Sequence, residues 1–423
     1  MQIIENENVK ESLYIEKLEN GLNVMIIPKK GIKKKYVMFA TNYGSVDNKY
    51  IIPGENEVTH VPDGIAHYLE HKMFEQENGK NSLDKLTELG VNANAYTTTN
   101  YTTYLFESTN NFYEALTELM DYVQHPYFTD ENVEKERGII AQEIQMYDDY
   151  PEWAVYMNAV KDMYEKNPVR IDIAGTVESI QKIDKEVLYK CYNTFYNPSN
   201  MVMCFVGDFE PNNLIEEVKK RLVEKPKQGE IKRISEDEKE EIVNKKTEVT
   251  MEVSIPLFVI GIKDKVENKE MIKKHVAIEI LLNMLIGKSS KLYKELYEEE
   301  LLFSEVYTEY EFTKTYAHIA LTGQSKDPQA VYDKLEQEIQ KFKENGLDEE
   351  QFNRVKNMLY GSYIKEFNNV GDIARMFVTD YFKGINSFDY IKEYEEITKE
   401  YTYEILKQVF NEEKTVLSIV KGK

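Results

Sequence analysis

The stretch His67-Tyr68-Leu69-Glu70-His71 decides how this chain is interpreted. Two histidines four residues apart lie one helical turn from each other on one face, where a single Zn²⁺ can accept both imidazoles. Glu70 stands next to the second histidine, so its carboxylate can reach a water molecule at the same metal. The order His-x-x-Glu-His reverses the His-Glu-x-x-His pattern found in many zinc enzymes. A helix with two surface histidines is the alternative that this stretch alone leaves open.

The bulk composition excludes several classes of protein. The 423 residues are enough for two to four domains, and the formal net charge of -22 argues against nucleic acid as the partner. No secretory signal and no apolar run of about eighteen residues is visible, so we expect no membrane span. The two cysteines, Cys191 and Cys204, lie in apolar or aromatic segments and are interpreted as core thiols, which favours a cytoplasmic location.

The chain repeats one order of elements on either side of a charged segment. We predict an N-terminal α+β domain over residues 1–223, a linker over 224–246 and a homologous α+β domain over 247–423. Each domain should pack an antiparallel-rich sheet against helices. In the first half, the apolar patterns predict strands over 36–40, 93–98 and 102–107, and helices around the histidines, over 82–89, from Asn111 and from Asp130. In the second half, they predict strands over 258–262, 304–311 and 316–322, and helices over 275–285, 327–343 and 348–365.

The duplication itself tests the histidine motif. Aligned with residues 66–71, the second half reads Ala277-Ile278-Glu279-Ile280-Leu281-Leu282, so aliphatic residues replace both histidines and Glu70. The fold therefore does not need them, and a functional role in the first half is favoured.

A catalytic zinc site needs a third protein ligand besides two histidines. Glu136 and Glu143 are seven residues apart, two turns along one face of a predicted helix, and either could supply it. Ile139 and Ile140 lie between them and are expected to pack against the core. A solvated surface helix is the alternative.

Taken together, these segments resemble the insulinase/pitrilysin family of zinc metallopeptidases (the inverzincins), and within it the processing-peptidase type. The resemblance is carried by His-x-x-Glu-His, by Glu-Arg-x-x-x-x-x-Glu about seventy residues later, and by the segments 94–97, 136–140 and 170–180. The segment 170–180 resembles bacterial processing-protease-like members in particular. The implied fold is a pair of homologous α+β domains that form half of a clamshell.

The resemblance also assigns roles to residues of this chain. His67, His71 and Glu143 match the zinc ligands, and Glu70 matches the general base that acts on water. Glu136 matches a second acidic position of the catalytic site, with a supporting rather than a ligating role. The implied function is a zinc-dependent endopeptidase that hydrolyses peptides or unfolded segments.

Substrate binding is implied for one further segment. Asn94 and Ala95 match an edge strand on which such enzymes bind an extended peptide by β-augmentation.

One departure from the family pattern concerns the second half. Tyr297 and Ser304 stand where self-sufficient members carry an Arg and a Tyr that hold the substrate. The departure predicts a heterodimer with a homologous metal-free subunit that supplies these groups, while a homodimer remains open. The alternative function is a non-catalytic peptide-binding or assembly subunit of the same fold.

Overall fold

The structure is a computed structural model that describes residues 1–267 and 269–423 and groups them into two compact units. Unit 1 consists of Met1–Ile144, Asp172–Ile234 and Lys365–Ser387. Unit 2 consists of Gln145–Ile171, Ser235–Ile364 and Phe388–Lys423.

The strands are β1 (Gln2–Asn6), β2 (Glu11–Lys17), β3 (Asn23–Pro28), β4 (Lys35–Thr41), β5 (Lys49–Ile51), β6 (Val58–His60), β7 (Asn92–Thr97), β8 (Thr102–Ser108), β9 (Met201–Gly207), β10 (Lys232–Arg233), β11 (Lys246–Thr250), β12 (Leu257–Asp264), β13 (Tyr307–Phe312), β14 (Ala317–Gln324) and β15 (Thr415–Lys421).

The α-helices are α1 (Ile65–Lys72), α2 (Ser82–Glu88), α3 (Phe112–Gln124), α4 (Asp130–Asp148), α5 (Pro151–Met163), α6 (Val177–Ile180), α7 (Lys185–Phe195), α8 (Pro211–Arg221), α9 (Met271–Leu285), α10 (Lys291–Glu298), α11 (Pro328–Asn345), α12 (Glu349–Glu366), α13 (Val370–Lys383), α14 (Asp389–Glu396) and α15 (Lys399–Val409). Short 3₁₀ turns are Pro168–Arg170, Pro198–Asn200 and Glu412–Lys414.

The two main sheets share one topology. In unit 1 the strand order is β1-β2-β3-β9-β4-β8-β7, and in unit 2 it is β11-β15-β12-β14-β13. The pair β3/β9 is parallel, as is its counterpart β11/β15, and the remaining pairs of the shared five-strand pattern are antiparallel. The predicted duplication of an α+β unit is therefore confirmed. Strands β5, β6 and β10 form a separate small sheet of unit 1.

The units differ from the contiguous division predicted from the sequence. Helix α5, which lies in the first half of the chain, packs against β12 and β15 of unit 2. Helix α13, from the second half, packs against β4 and β9 of unit 1. Within the charged segment 224–246, the chain passes from unit 1 to unit 2 between Ile234 and Ser235. Each sheet is thus completed by a helix from the other half of the sequence.

Both cysteines are core residues, as expected. Cys191 lies on α7 and Cys204 on β9, and both are buried free thiols. Across residues 1–267 and 269–423, no helix is both long and apolar enough to span a membrane.

Helix α13 brings a buried carboxylate into unit 1. Asp380 is 6% exposed and accepts a hydrogen bond from Ser387 Oγ at 2.7 Å. Burial raises the pKa of Asp380 to about 6, although the charge of Lys383 and the bond from Ser387 oppose the shift.

Asp380→Asn should therefore make the protein more stable at neutral and alkaline pH. A carboxyl whose pKa is higher in the folded state stabilises the fold below its unfolded pKa, and this contribution is lost as the pH rises through about 6. The substitution should raise the free energy of unfolding by up to about 3 kcal/mol at pH 8 and leave it little changed at pH 4. Urea unfolding at both pH values measures this, and an equal effect at both would contradict it.

Candidate metal centre

Helix α1 presents the histidine motif on one face and the core of unit 1 on the other. Ile65, Ala66 and Leu69 are buried at helical spacing, while His67 and His71 point to the opposite side. This arrangement follows from the sequence, because the apolar residues and the histidines recur with the same helical period.

The start of α1 depends on close backbone packing. Gly64 precedes the helix with φ 86°, a left-handed conformation that favours glycine. A Cβ at Gly64 would lie 2.3 Å from the carbonyl oxygen of Ala174, and one at Gly175 would lie 2.5 Å from that of Asp63. The segment 170–180, which carried part of the family resemblance, thus contacts the beginning of the motif helix.

Helix α4 carries the two glutamates and is joined to α1. Thr129 caps this helix: the Asn132 N–H donates to Thr129 Oγ1 at 3.1 Å, and Thr129 N–H donates to Asn132 Oδ1 at 2.9 Å. The hydroxyl of Tyr68 on α1 donates to the carbonyl oxygen of Val133 in the first turn of α4. The contact fixes how far along α4 the histidines lie.

The structure brings the three predicted ligands together. One ligand atom from each of His67, His71 and Glu143 lies within 4.8 Å of the others. His67 Nε2 is 3.7 Å from Glu143 Oε1, and His71 Nε2 is 3.5 Å from Glu143 Oε2. Ligand atoms about 2.0–2.1 Å from a tetrahedral zinc ion stand about 3.3–3.4 Å apart, so this donor set fits Zn²⁺ with one position left open.

Glu136 is hydrogen-bonded to His71, on the side of the ring away from Glu143. Its Oε1 is 3.0 Å from His71 Nδ1, which leaves His71 Nε2 directed at Glu143. A carboxylate partner on the second ring nitrogen is the usual device that orients a metal-binding histidine. The supporting role of Glu136 stays a prediction, and this contact with His71 is the one through which Glu136 would act.

The two histidines differ electrostatically. Burial, and then the neighbouring His71, lower the pKa of His67 to about 3, so this imidazole is neutral and able to ligate at pH 7. Burial also opposes charge on His71, but the bond to Glu136 and the nearby carboxylates outweigh it and raise its pKa. For Glu136, burial is outweighed by the bond and charge of His71 and by the charge of Lys72, so its pKa is lowered.

Glu70 is a buried carboxylate held at one oxygen. It is 7% exposed, and Thr97 Oγ1 donates to its Oε2 at 2.7 Å. Burial raises the pKa of Glu70, against the opposing bond from Thr97 and the charge of His71. A carboxyl with a raised pKa in this position can both accept and return a proton.

Asn94 and Ala95 lie on β7, the strand at one edge of the main sheet of unit 1. In the part of the chain that the structure describes, β7 pairs only with β8, so its other side is open to an added strand. The Ala95 N–H donates to Oδ1 of the preceding residue, Asn94, at 2.9 Å. The same strand ends at Thr97, which places the open edge beside Glu70.

One packing prediction was wrong. Ile140 is buried as expected, but Ile139 is 47% exposed. Ile139 lies three residues after Glu136 and four before Glu143, so helical geometry puts it on the glutamate face rather than the core face.

In unit 2, Tyr297 is 57% exposed at the end of α10, and Ser304 is exposed in the segment that follows.

Three residues of the site were not identified from sequence. The local pattern around Thr97 does not indicate that its hydroxyl donates to Glu70, and the pattern of α1 does not indicate that Tyr68 connects this helix to α4. Lys72 directly follows the motif and is fully buried. A lysine in the apolar register of α1 was the one available signal for this last residue.

Comparison with known proteins decides the family. Residues 56–177 match the model described as Insulinase (Peptidase family M16), and residues 182–359 match Peptidase M16 inactive domain. The chain is 41% identical over 412 residues to a Bacillus subtilis protein named "Uncharacterized zinc protease YmfH", which covers 96% of this chain and 95% of that relative. The chain belongs to the insulinase family of peptidases, family M16.

Two further similarities extend this result. A solved M16-like peptidase of Alicyclobacillus acidocaldarius superposes with a TM-score of 0.94 at 32% identity, covering 99% of this chain and all of that one. A protein of Arabidopsis thaliana named as mitochondrial-processing peptidase subunit beta is 27% identical over 162 residues, which is 37% of this chain and 30% of the relative. The names of these M16 relatives support a peptidase function, and several are named zinc proteases.

Gly64→Ala should destabilise the protein more than Gly90→Ala. Both glycines have positive φ, which costs a non-glycine residue about 1–2 kcal/mol, but a Cβ at Gly90 meets nothing within 4 Å. The added clash with Ala174 should lower the free energy of unfolding by at least about 1 kcal/mol beyond the control. Equal losses in urea unfolding would contradict the account of how α1 begins.

Glu136→Gln should weaken Zn²⁺ binding about tenfold, because the neutral amide is a poorer acceptor for His71 Nδ1–H. Competition with a chromophoric chelator measures the dissociation constant. Glu134→Gln is the matched control, since that side chain is 71% exposed on the same helix and pairs with Arg137. Equal affinity in the two variants would show that Glu136 does not support the metal ligands.

Proposed function

We propose that this chain is a zinc-dependent endopeptidase that hydrolyses peptides or unfolded segments and works with a homologous partner subunit. One observation carries the proposal: a two-histidine, one-glutamate donor set of zinc dimensions lies beside a buried glutamate at the end of an open edge strand. The arrangement supplies a metal position, a proton carrier and a surface for an extended peptide within one unit.

His67 Nε2, His71 Nε2 and the Glu143 carboxylate would hold the zinc ion. When bound, Zn²⁺ supplies Lewis-acid activation of water and of the scissile carbonyl. His67 is neutral at pH 7 and therefore already in the form that binds a metal. Glu136 keeps the proton of His71 on Nδ1 and so leaves Nε2 free to ligate.

Glu70 carries the proton. Thr97 occupies Oε2, so Oε1 takes a proton from the attacking water and later delivers it to the nitrogen of the leaving amine. Burial favours the protonated intermediate form of this carboxyl, and the bond from Thr97 keeps the ionised form accessible. Both states are needed in one turnover.

The substrate would bind as an added strand along β7. Backbone pairing is largely independent of side chains, which suits an enzyme that takes unfolded segments. Ala95 N–H, now satisfied by the Asn94 side chain, would be released to a substrate carbonyl when Asn94 turns away. Thr97 lies two residues further along the strand than Ala95, so the paired peptide would reach Glu70.

The partner subunit is proposed from what unit 2 lacks. Tyr297 and Ser304 occupy the positions at which the family resemblance led us to expect an Arg and a Tyr, and three glutamates follow Tyr297 directly. A homologous chain without the metal motif would supply the cationic and hydroxyl groups. That a relative is named as a subunit beta supports pairing.

A second candidate is a non-catalytic peptide-binding or assembly subunit. The match of residues 182–359 to the domain described as inactive, together with Tyr297 and Ser304, favours it. The metal cluster and Glu70 favour the peptidase, because peptide binding alone needs neither.

Glu70→Gln should abolish peptide cleavage while leaving Zn²⁺ binding unchanged. The amide keeps the bond from Thr97 but cannot accept a proton, so kcat should fall by at least about 100-fold. The assay compares quenched-fluorescent peptide cleavage and zinc content for the wild type, Glu70→Gln and the surface control Glu77→Gln.

The partner is tested in the same assay. Wild-type chain with a co-expressed homologous metal-free chain should cleave, and the chain alone should cleave far more slowly. Zinc bound at about one ion per chain with no cleavage under either condition would favour the binding subunit, and rapid cleavage by the chain alone would overturn the need for a partner.

A further inference from the structure

Lys72, the last residue of α1, is a buried charge that the proposed mechanism does not use. Its side chain is 0% exposed, although lysine is almost never fully buried without a compensating partner. Removing an ammonium group from water is costly, so its surroundings must offset that cost. In the sequence, Lys72 directly follows the proposed ligand His71.

Two carboxylates flank the ammonium group. Lys72 Nζ donates to Glu75 Oε2 at 2.5 Å and lies 3.9 Å from Glu136 Oε2. The other oxygen of Glu136 is 3.0 Å from His71 Nδ1. These contacts connect Glu75, Lys72, Glu136 and His71 in that order.

Through this series of contacts, the charge of Lys72 can act on the metal ligand His71. A carboxylate that accepts the Nδ1–H of histidine makes the opposite ring nitrogen a stronger donor to a metal. A cation on the second oxygen draws charge away from that bond and weakens the effect. Glu136 is only 14% exposed and Lys72 is fully buried, so water screens the pair poorly.

The second copy of the fold provides an internal comparison. In the alignment of the two halves, the position of Lys72 is taken by Asn283. Its Nδ2 donates to the carbonyl oxygen of Glu279 within its own helix, α9. The helix position itself therefore does not require a buried cation, and the cation occurs in the copy that carries the metal cluster.

We propose that Lys72 is a positioning residue that acts through Glu136 to limit how strongly His71 donates to the bound metal. Glu75 also pairs with Lys72, and this pairing weakens the electrostatic effect of the Lys72 charge on Glu136. The inference rests on the proposed zinc site of His67, His71 and Glu143. It adds a pair of residues that adjusts the affinity of this site.

Two variants test the proposal in opposite directions. Lys72→Met keeps the volume and removes the charge, so Zn²⁺ should bind about tenfold more tightly. Glu75→Gln leaves Lys72 to act on Glu136 alone, so Zn²⁺ should bind several-fold more weakly. Lys263→Met is the matched control: Lys263 is buried in unit 2, where its Nζ pairs with Glu238 at 2.8 Å.

The dissociation constant is measured by chelator competition on the full chain. The far-downfield proton resonance of His71 Nδ1–H is followed as well, and it should move downfield in Lys72→Met, upfield in Glu75→Gln and not at all in Lys263→Met. If Lys72 were merely structural, its substitution would lower stability, but the dissociation constant and the His71 resonance would not shift in opposite directions in Lys72→Met and Glu75→Gln. If Lys72→Met does not fold, Glu75→Gln decides the question alone.

Unchanged affinity in both variants, with zinc still bound by the wild type, would overturn the role of Lys72 and leave the proposed function standing. A wild-type chain that binds no zinc would instead overturn the proposed function.

Discussion

The site depends on the fixed register between α1 and α4. The spacing of four residues places His67 and His71 on one face of α1, but a third ligand must come from another helix at the correct height. The bond from Tyr68 to the first turn of α4, with the Thr129 cap, sets that height. Glu136 then meets the back of His71, and Glu143, two turns later, meets the front of both histidines. A shift of one helical turn, about 5.4 Å, would separate all of these contacts.

The local charges show why the cluster is specific to one unit. Glu70, Glu136 and Glu143 lie close to His67 and His71, where burial lowers the pKa of His67 while the bond to Glu136 and the nearby carboxylates raise that of His71. The charge of Glu143 adds to burial in raising the pKa of Glu70, and a divalent cation would offset that repulsion. Unit 2 keeps the same sheet order with aliphatic residues at the motif positions, so its core carries no such cost. The duplication separates what the fold needs from what the metal position needs.

Much of the site could be predicted because it is encoded locally. The periods of four and seven residues fix which side chains share a helix face, and alternating strands predicted β7 and β8 to within one residue. Contacts between distant segments could not be predicted in this way. Nothing in the local pattern shows that the Thr97 hydroxyl meets Glu70, or that Lys72 lies between two carboxylates. Helices α5 and α13 are not among the helices predicted from the sequence, and the apolar face of a helix does not specify which sheet will cover it. The exchange of these helices between the halves therefore became visible only in the folded chain.

Anomalous X-ray scattering from crystals of the zinc-loaded chain, recorded on both sides of the zinc absorption edge, tests the central claim most directly. The account predicts a single strong peak in the unit that carries the motif, within about 2.0–2.2 Å of His67 Nε2, His71 Nε2 and a Glu143 oxygen, with a fourth position facing Glu70. A peak at another place, or no peak at a zinc concentration that saturates the protein in solution, would contradict it.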